Sequence, residues 1–177
     1  MSYYVGARGA LGIAKEASRG VAVSPAYWIP YNSISFDEEA VVVDSEGAFG
    51  NIADSYESYV TKKYAEGEFE YDLDDKALGL LLTAVAGAAP SSAGSTNYTH
   101  TYTIQNTNQH QSLSLLVQDP NLTKMFRLAM IDKFSIKIDP EGIVKCSAGF
   151  RSTAAQDYAT QTASYTALGH KFIHSMA

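Results

Sequence analysis

One stretch of the sequence, residues 56–87, changes its periodicity midway, and this change restricts the possible folds more than any other feature. Residues 63–73 alternate between an apolar and a polar set, which is typical of a strand with one buried and one solvated face. The apolar set comprises Ala65, Phe69, Tyr71 and Leu73, with Gly67 between them, and the polar set comprises Tyr64, Glu66, Glu68 and Glu70. The alternation predicts a strand of a sheet that is covered on one side.

A helical spacing follows the strand and predicts one short helix over about residues 74–86. Its apolar side would consist of Leu78, Leu81, Leu82 and Val85. Asp72, Asp74 and Asp75 lie at its start, where carboxylates accept hydrogen bonds from free N–H groups and interact favourably with the helix dipole. Gly87 suits a left-handed helix end. A long half-buried strand followed by one apolar helix predicts a sheet protein with a single helix against it.

The composition narrows the functional classes. The 177 residues suffice for one core, and 18% of them are charged. The chain is rich in Tyr, of which there are 12, and in Thr and Ser, with few helix formers, which favours β-structure. The net charge of −6 argues against a protein that grips nucleic acid tightly, but not against one past which nucleic acid slides. Cys146 is the only cysteine, so no intramolecular disulfide can form. We find no secretory signal and no run of about 20 apolar residues, and we therefore expect cytoplasmic assembly and no membrane span.

The N-terminal third divides into an arm and the beginning of a domain. Residues 1–24 are rich in Gly and Ala and include one short candidate strand at 11–16. This arm either lies on a neighbouring chain or is a partly mobile terminus. The domain, predicted to span residues 25–151, opens with the aromatic segment Tyr27–Tyr31. Short strands are then predicted at 33–37 and 41–43.

Residues 44–55 lack periodicity and contain Gly, Asn and Asp, which predicts a loop. It is either a plain exposed loop or one that becomes ordered on a partner. Further strands are predicted at 98–104, where His100 would be half-buried, and at 112–117.

A hairpin over residues 125–151 is the clearest motif of the C-terminal half. The buried face of its first arm would carry Leu128, Met130, Phe134, Ile136 and Ile138, and that of its return arm Val144, Cys146, Ala148 and Phe150. Cys146 is therefore interpreted as a small core residue. In the turn Asp139-Pro140-Glu141-Gly142, Pro presets φ and Gly142 is predicted to be left-handed. Residues 152–177 form an uncertain segment that is either incomplete or pairs with another subunit.

The sequence contains no recognised catalytic motif, and the pair His170 and His174 lacks a third metal ligand. Two polar faces remain as candidate functional surfaces: an acidic one and a basic one. The acidic face carries Glu66, Glu68 and Glu70, and the basic face carries Lys133, Lys137, Lys145 and Arg151. Both are read first as ordinary solvated sheet surface. Alternatively, the carboxylates form an acidic wall, or the two faces meet between subunits.

Several segments, taken in order, resemble the tail tube (major tail) proteins of long-tailed bacteriophages. The opening LGIAKEASRGVAVSPAYWIPYNSISF resembles that family's small-residue strand with a Lys-Glu pair, leading to an aromatic-Ile-Pro segment. The segment EFEYDLDDKALGLLLTAVAG resembles its strand and helix, and YTHTYTI and QSLSLLVQD resemble its next strands. The hairpin MIDKFSIKIDPEGIVKCSAGF resembles its final pair. The match covers most of the chain, and its specificity lies in the order of the motifs.

This resemblance implies a mainly β fold, an antiparallel β-sandwich or rolled sheet with one short flanking helix. It implies a virion structural protein without catalytic activity or cofactor, whose hexameric rings stack into the tube through which the genome passes into the host. The implied partners are other copies of the chain, a tape-measure protein, and tail terminator and tip proteins. Glu66, Glu68 and Glu70 are the candidate lumen-facing residues. The candidate inter-subunit contacts lie in the arm and in the 44–55 loop: Arg8, Lys15, Glu16, Asp44, Glu46, Phe49 and Asn51.

Two alternatives stay open at the level of sequence. One is another virion structural protein, such as a tail terminator, tail tip or head decoration protein. The other is a β-sandwich module that binds sugar or peptide, which Trp28 and the many Tyr would support. Self-polymerisation into tubes would favour the tube protein, whereas a concave site on a stable monomer would favour the binding module.

Overall fold

The structure, a computed structural model, describes residues 8–45, 50, 57–88, 91–93, 98–106, 110–165, 169 and 171–174. Its single helix within these ranges is α1 (Ala77–Ala86). The strands are, in chain order, β1 (Ala10–Lys15), β2 (Tyr27–Ile29), β3 (Tyr31–Asp44), β4 (Ser58–Asp72), β5 (Gly87–Ala88), β6 (Ser91–Ala93), β7 (Tyr98–His100), β8 (Thr103–Ile104), β9 (Leu113–Asp119), β10 (Leu122–Lys137), β11 (Lys145–Thr153) and β12 (Gln156–Asp157). The predicted fold class, mainly β with one short helix, is confirmed.

Eight of the strands form one antiparallel sheet that does not close on itself. Their order is β2-β1-β9-β10-β11-β4-β3, with β12 also paired to β10. Strand β10 connects the two halves of this sheet, because residues 122–129 pair with β9 and residues 130–137 pair with β11. Its pairing register shifts between Phe126 and Ala129 and again between Ile131 and Lys133. Such bulges bend a strand and increase its twist, and here they let the sheet roll over its own core.

The roll creates two sheet regions of different character. The buried sheet consists of β2, β1, β9 and residues 122–129 of β10. The polar-faced sheet consists of residues 130–137 of β10, β11, β4 and β3. Both contribute to one apolar cluster, in which the ring of Phe126 lies 5.2 Å from that of Phe36 and 5.5 Å from that of Phe150. The core therefore lies between the two regions.

Strand β4 confirms the predicted alternation. Ala65, Phe69 and Tyr71 are fully buried and Leu73 nearly so, whereas the three glutamates lie on the opposite face. Gly67 is required between them, because a Cβ there would lie 2.5 Å from the carbonyl oxygen of Ser35 and 2.8 Å from Phe150. The close approach of the aromatic ring to the backbone explains the missing side chain.

Helix α1 begins and ends close to the predicted residues, but its buried face differs. Asp74 accepts hydrogen bonds from the N–H groups of Lys76 and Ala77, both at 2.8 Å, and Gly87 ends the helix with φ 94°. The buried residues are Ala77, Leu81, Ala84 and Ala86, whereas Leu78 and Leu82 are half-buried and Val85 is exposed. Of the predicted face, only Leu81 is fully buried. The small alanines allow close packing, so the helix contacts the core through them together with Leu81.

Three strand predictions are corrected. The two short strands predicted at 33–37 and 41–43 are one strand, β3, whose distal half is exposed on both faces and therefore shows no apolar period. The single strand predicted at 98–104 is two short strands, β7 and β8. They do not cover the core, and His100 is exposed rather than half-buried.

The return arm of the C-terminal hairpin is confirmed, and the first arm is not. Val144, Cys146, Ala148 and Phe150 are buried as predicted, and burial raises the pKa of the Cys146 thiol to about 11. In the first arm the buried residues are Met125, Phe126 and Ala129, whereas Leu128, Met130 and Phe134 are half-buried and Ile136 and Ile138 are exposed. The two bulges shift the alternation that the sequence pattern assumed.

The turn of this hairpin also differs from the prediction. The N–H of Gly142 donates to the carbonyl oxygen of Asp139 at 3.2 Å, as a β-turn requires. The left-handed residue is Glu141, with φ 62°, and Gly142 does not have a positive φ. With proline at the second position of the turn, the third position, Glu141, is left-handed, one residue earlier than predicted.

Both terminal segments are integral to the fold where the structure describes them. Strand β1, in the predicted arm, lies between β2 and β9, with Leu11 and Ile13 fully buried. Tyr158, Ala163 and Tyr165 cover the outer side of the buried sheet at Trp28 and Leu116, among others. The N–H of Ile173 donates to the oxygen of Leu73, and its own oxygen accepts from Val144 N, both at 2.9 Å. The described C-terminal residues thus pair within the chain.

Candidate assembly surfaces

The polar-faced sheet presents one uncovered face, built by the alternation of four neighbouring strands. In β4 this face carries Glu66, Glu68 and Glu70, none of which is buried. Strand β3 adds Ser35 and Asp37 next to them, and β11 and β10 add the predicted basic residues. The acidic and the basic sets, treated separately from sequence, therefore share one surface.

The strand register interleaves these charges. Glu66 is opposite Arg151, whose Nε lies 3.4 Å from Glu66 Oε2 and 3.2 Å from Asp132 Oδ2. The Nζ atom of Lys145 lies 3.6 Å from Glu70 Oε1, and the hydroxyl of Ser147 donates to Glu68. Glu66 and Glu70 thus pair with cations of the adjacent strand, whereas Glu68 accepts from a neutral hydroxyl.

Two charged residues on this face lack such partners. Of the four predicted basic residues, Lys137 pairs with Asp139 at 3.4 Å, and Lys133 alone makes no ion pair with a residue that the structure describes. Asp37 lies directly opposite Glu66, a like charge, and its carboxylate makes no hydrogen bond or ion pair with any described residue. Like charges directly opposite each other destabilise a strand pair, so Asp37 favours a nearby cation.

The polar-faced sheet also has two free edges within the described residues. Strand β3 pairs with β4 alone, and residues 130–137 of β10 pair with β11 alone. Unpaired N–H and C=O groups along such edges are a template for pairing with another chain.

A two-stranded ribbon, residues 40–44 and 58–63, extends from this sheet beyond the last residue pair of β11. It exposes an apolar group, with Val42 53% and Tyr59 58% exposed; the other members are Val41, Val43 and Val60. A cluster of this kind on a protruding element marks an interaction surface.

The predicted inter-subunit residues fall into three groups. Glu46, Phe49 and Asn51 lie outside the described residues. Arg8, Lys15 and Asp44 are exposed, and Asp44 accepts a hydrogen bond from Ser58 at the end of the ribbon. Glu16 is only 3% exposed, so the structure corrects its assignment: its carboxylate is held inside its own chain.

The environment of Glu16 joins three parts of the fold. Its Oε1 accepts from Ser114 Oγ at 3.0 Å and from Leu128 N at 2.9 Å, and its Oε2 accepts from Ser112 Oγ and Gly20 N, both at 2.7 Å. Burial alone raises the pKa of Glu16, but these hydrogen bonds together lower it below its ordinary value. Leu128 is left-handed, with φ 53°, in the bulge of β10. Glu16 therefore stabilises the bend from which the two sheet regions diverge, a role that the Lys-Glu pair in the sequence did not indicate.

The described residues contain no group of three His, Cys, Asp or Glu side chains suited to a metal ion. Among the same residues, no helix is long and apolar enough to cross a membrane.

Comparison with known proteins gives a family. Among curated proteins, none matches the chain. A solved structure of the tail of an empty GTA particle, refined helically with C6 symmetry, is similar over 84% of this chain and 96% of that chain, at 16% identity and a TM-score of 0.44. The family model described as phage tail tube protein matches residues 6–173. The match extends from before β1 to the Ile173 pairing and includes both free sheet edges, and the chain belongs to the phage tail tube protein family.

Proposed function

We propose that this structural protein assembles into rings that stack to form the tail tube of a virion, and that the genome passes through the channel. The observation that carries the proposal is the polar-faced sheet, which has two free edges and one uncovered face. An open sheet of this kind is an aggregation hazard unless its edges are paired. Closure into a ring pairs every edge, and the ring of six copies that the resemblance implies is one such closure.

The polar face is proposed to line the channel. The core, the buried sheet and α1 all lie on the opposite side of the polar-faced sheet. In a ring, the layer at larger radius has more room, so the side with the extra layer faces outward. Glu66, Glu68 and Glu70 then face the lumen.

The charges of this face suit the passage of DNA. Each phosphate contact from Lys or Arg adds affinity, which would retard a moving duplex. Glu66 and Asp132 pair with Arg151, and Glu70 pairs with Lys145. We infer that the acidic stripe serves to mask cations of the channel wall.

The ribbon is proposed to contact the next ring. Its apolar residues are exposed at the end of the sheet, beyond the strands that would close the ring. We assign no catalytic role or cofactor, and we expect a tape-measure protein inside the channel, terminator and tip proteins at the tube ends, and assembly in the host cytoplasm before incorporation into the virion.

Negative-stain electron microscopy across a concentration series tests the proposal. We expect hollow tubes or stacked rings with a central channel, and six-fold averages end-on. A matched sample with threonine at the ribbon positions 42 and 60 should give rings but fewer stacks. A dispersed monomer at every concentration, with or without tail extract as an initiator, would contradict the proposal and favour a binding module.

A further inference from the structure

The two free edges of the polar-faced sheet carry opposite charges. Strand β3 presents Asp37 and Glu39 at one edge, and β10 presents Lys133 and Lys137 at the other. All four side chains are exposed. Asp37 and Lys133 are also charged side chains of this surface that make neither an ion pair nor a side-chain hydrogen bond with a described residue. The same surface thus offers an unpaired anion at one border and an unpaired cation at the other.

The number of strands determines the direction in which copies can join. The four strands β3, β4, β11 and β10 alternate in direction, since each neighbouring pair is antiparallel. With an even number, the last strand runs opposite to the first. If copies are related by rotation about an axis roughly parallel to the strands, each strand keeps its direction, and β10 of one copy lies antiparallel to β3 of the next. Every junction in such a ring is equivalent, and the sheet continues without a change of pattern.

The side-chain alternation limits the register of this junction. If the pairing register moved by one residue, polar-face side chains of one copy would lie beside core-face side chains of its neighbour. Only registers that differ by two residues are therefore compatible. Asp37 and Lys133 both lie on the polar face, opposite Glu66 and Gly149 in their own chains. Gly149 has no side chain to compete for Lys133, and Glu66 repels Asp37, so each charge gains from meeting the other.

We propose that β3 of one copy pairs antiparallel with residues 133–137 of β10 in the neighbouring copy, beyond the bulge at Ile131, in the register that places Asp37 opposite Lys133. This inference rests on the proposed ring assembly and names its lateral interface. In this register Ser35 is opposite Ser135, and Ser33 is opposite Lys137. The charge pair selects one register among those that the alternation allows, and it excludes pairing of two like edges, since Asp37 would face an acidic strand.

Charge exchange is the first test. The variants Asp37→Lys and Lys133→Asp are expected to fold like the parent chain, because both side chains are exposed and neither makes an ion pair or hydrogen bond with a described residue. Each should raise the protein concentration needed for ring formation at least tenfold. The doubly exchanged chain should regain assembly. The inference is overturned if either single variant assembles like the parent, or if the double variant assembles no better than the singles.

Cysteine cross-linking is the second test, and it reads the register directly. The only native cysteine, Cys146, is fully buried and leaves little background. Within one chain, β3 and β10 are three strand spacings apart, about 14 Å, beyond the reach of about 7 Å between Cα atoms of a disulfide. The double variant Asp37→Cys/Lys133→Cys should therefore give only intermolecular bridges, seen as a ladder that ends at the closed ring on a non-reducing gel.

The matched control is Asp37→Cys/Lys137→Cys, in which the second cysteine moves about 13 Å along the strand and no ladder is expected. If tubes form but the first pair does not cross-link, or the control cross-links equally well, the proposed interface is wrong and the tube function stands. If the parent chain forms neither rings nor tubes, the proposed function fails, and this inference fails with it.

Discussion

The buried sheet and the polar-faced sheet are both antiparallel, but they differ in how many of their faces are covered. In β9 every residue from Leu113 to Gln118 is buried, since the core covers one face and the segment 152–165 covers the other. In the polar-faced sheet only one face is covered, and the other is solvated. The first region leaves neither face to solvent, whereas the second leaves one face and two edges uncovered within the described residues. Changes in the two regions should therefore affect different measurements.

The largest effect is expected for Phe126→Ala, at the junction of the two regions. The ring is fully buried and contacts both Phe36 and Phe150. Its loss should lower the free energy of unfolding by about 4 kcal/mol, because of lost burial and a residual cavity. Urea denaturation followed by circular dichroism measures this. A loss under about 1 kcal/mol would mean that the two regions do not share a core.

A smaller but still large loss of folding stability is expected for Glu16→Gln. The substituted amide has nearly the same shape but offers one acceptor oxygen to four donors and adds an N–H group among them. The free energy of unfolding should fall by about 3 kcal/mol, because buried donors lose a charged acceptor. Lys15→Gln, at the exposed neighbouring position, is the control and should change it by less than about 0.5 kcal/mol.

The difference in folding stability between the parent chain and Glu16→Gln should depend on pH, with a smaller effect than the substitution itself and a definite sign. The pKa of Glu16 in the folded chain is lowered from 4.5, its value as an unperturbed group. Its contribution is therefore complete above pH 4.5 and is lost as the pH falls through the lowered folded pKa. The stability advantage of the parent chain over Glu16→Gln should shrink in acid. An advantage that grows as the pH falls would contradict this assignment.

The smallest effect on folding is expected in the ribbon, where Val42 is opposite Val60. The double variant Val42→Thr/Val60→Thr keeps β-branched residues as a cross-strand pair and should alter the free energy of unfolding by less than about 0.5 kcal/mol. It should nevertheless reduce the sedimentable tube fraction severalfold, whereas Val21→Thr, at another exposed valine, should not. Equal tube fractions would show that the ribbon is not a stacking surface.

The parts of the fold that were predicted correctly show either a regular alternation of apolar and polar residues or a local helix-end signal. Strand β4 and the return arm β11 alternate strictly because each has one buried face. The capping by Asp74 and the left-handed Gly87 follow from local chemistry. These features depend on neighbours in sequence, so sequence alone suffices to place them.

The errors have a common cause in long-range pairing. Bulges in β10 shift its alternation, and the one at Leu128 is held by Glu16, which is more than 100 residues away in sequence. Glu16 looked like an exposed charge because its four donors come from three separate segments. The acidic and basic stripes looked separate because their interleaving depends on the register of β4 with β11.

The double membership of β10 has a consequence for the order of events during assembly. Residues 130–137 leave the buried sheet and form a free edge because residues 122–129 pair with β9 and Glu16 accepts the N–H of Leu128 at the bend. A chain whose interior is unfinished therefore lacks one of the two surfaces through which it would join a growing ring. In the proposed assembly, folding of the interior would therefore precede the entry of a chain into a ring.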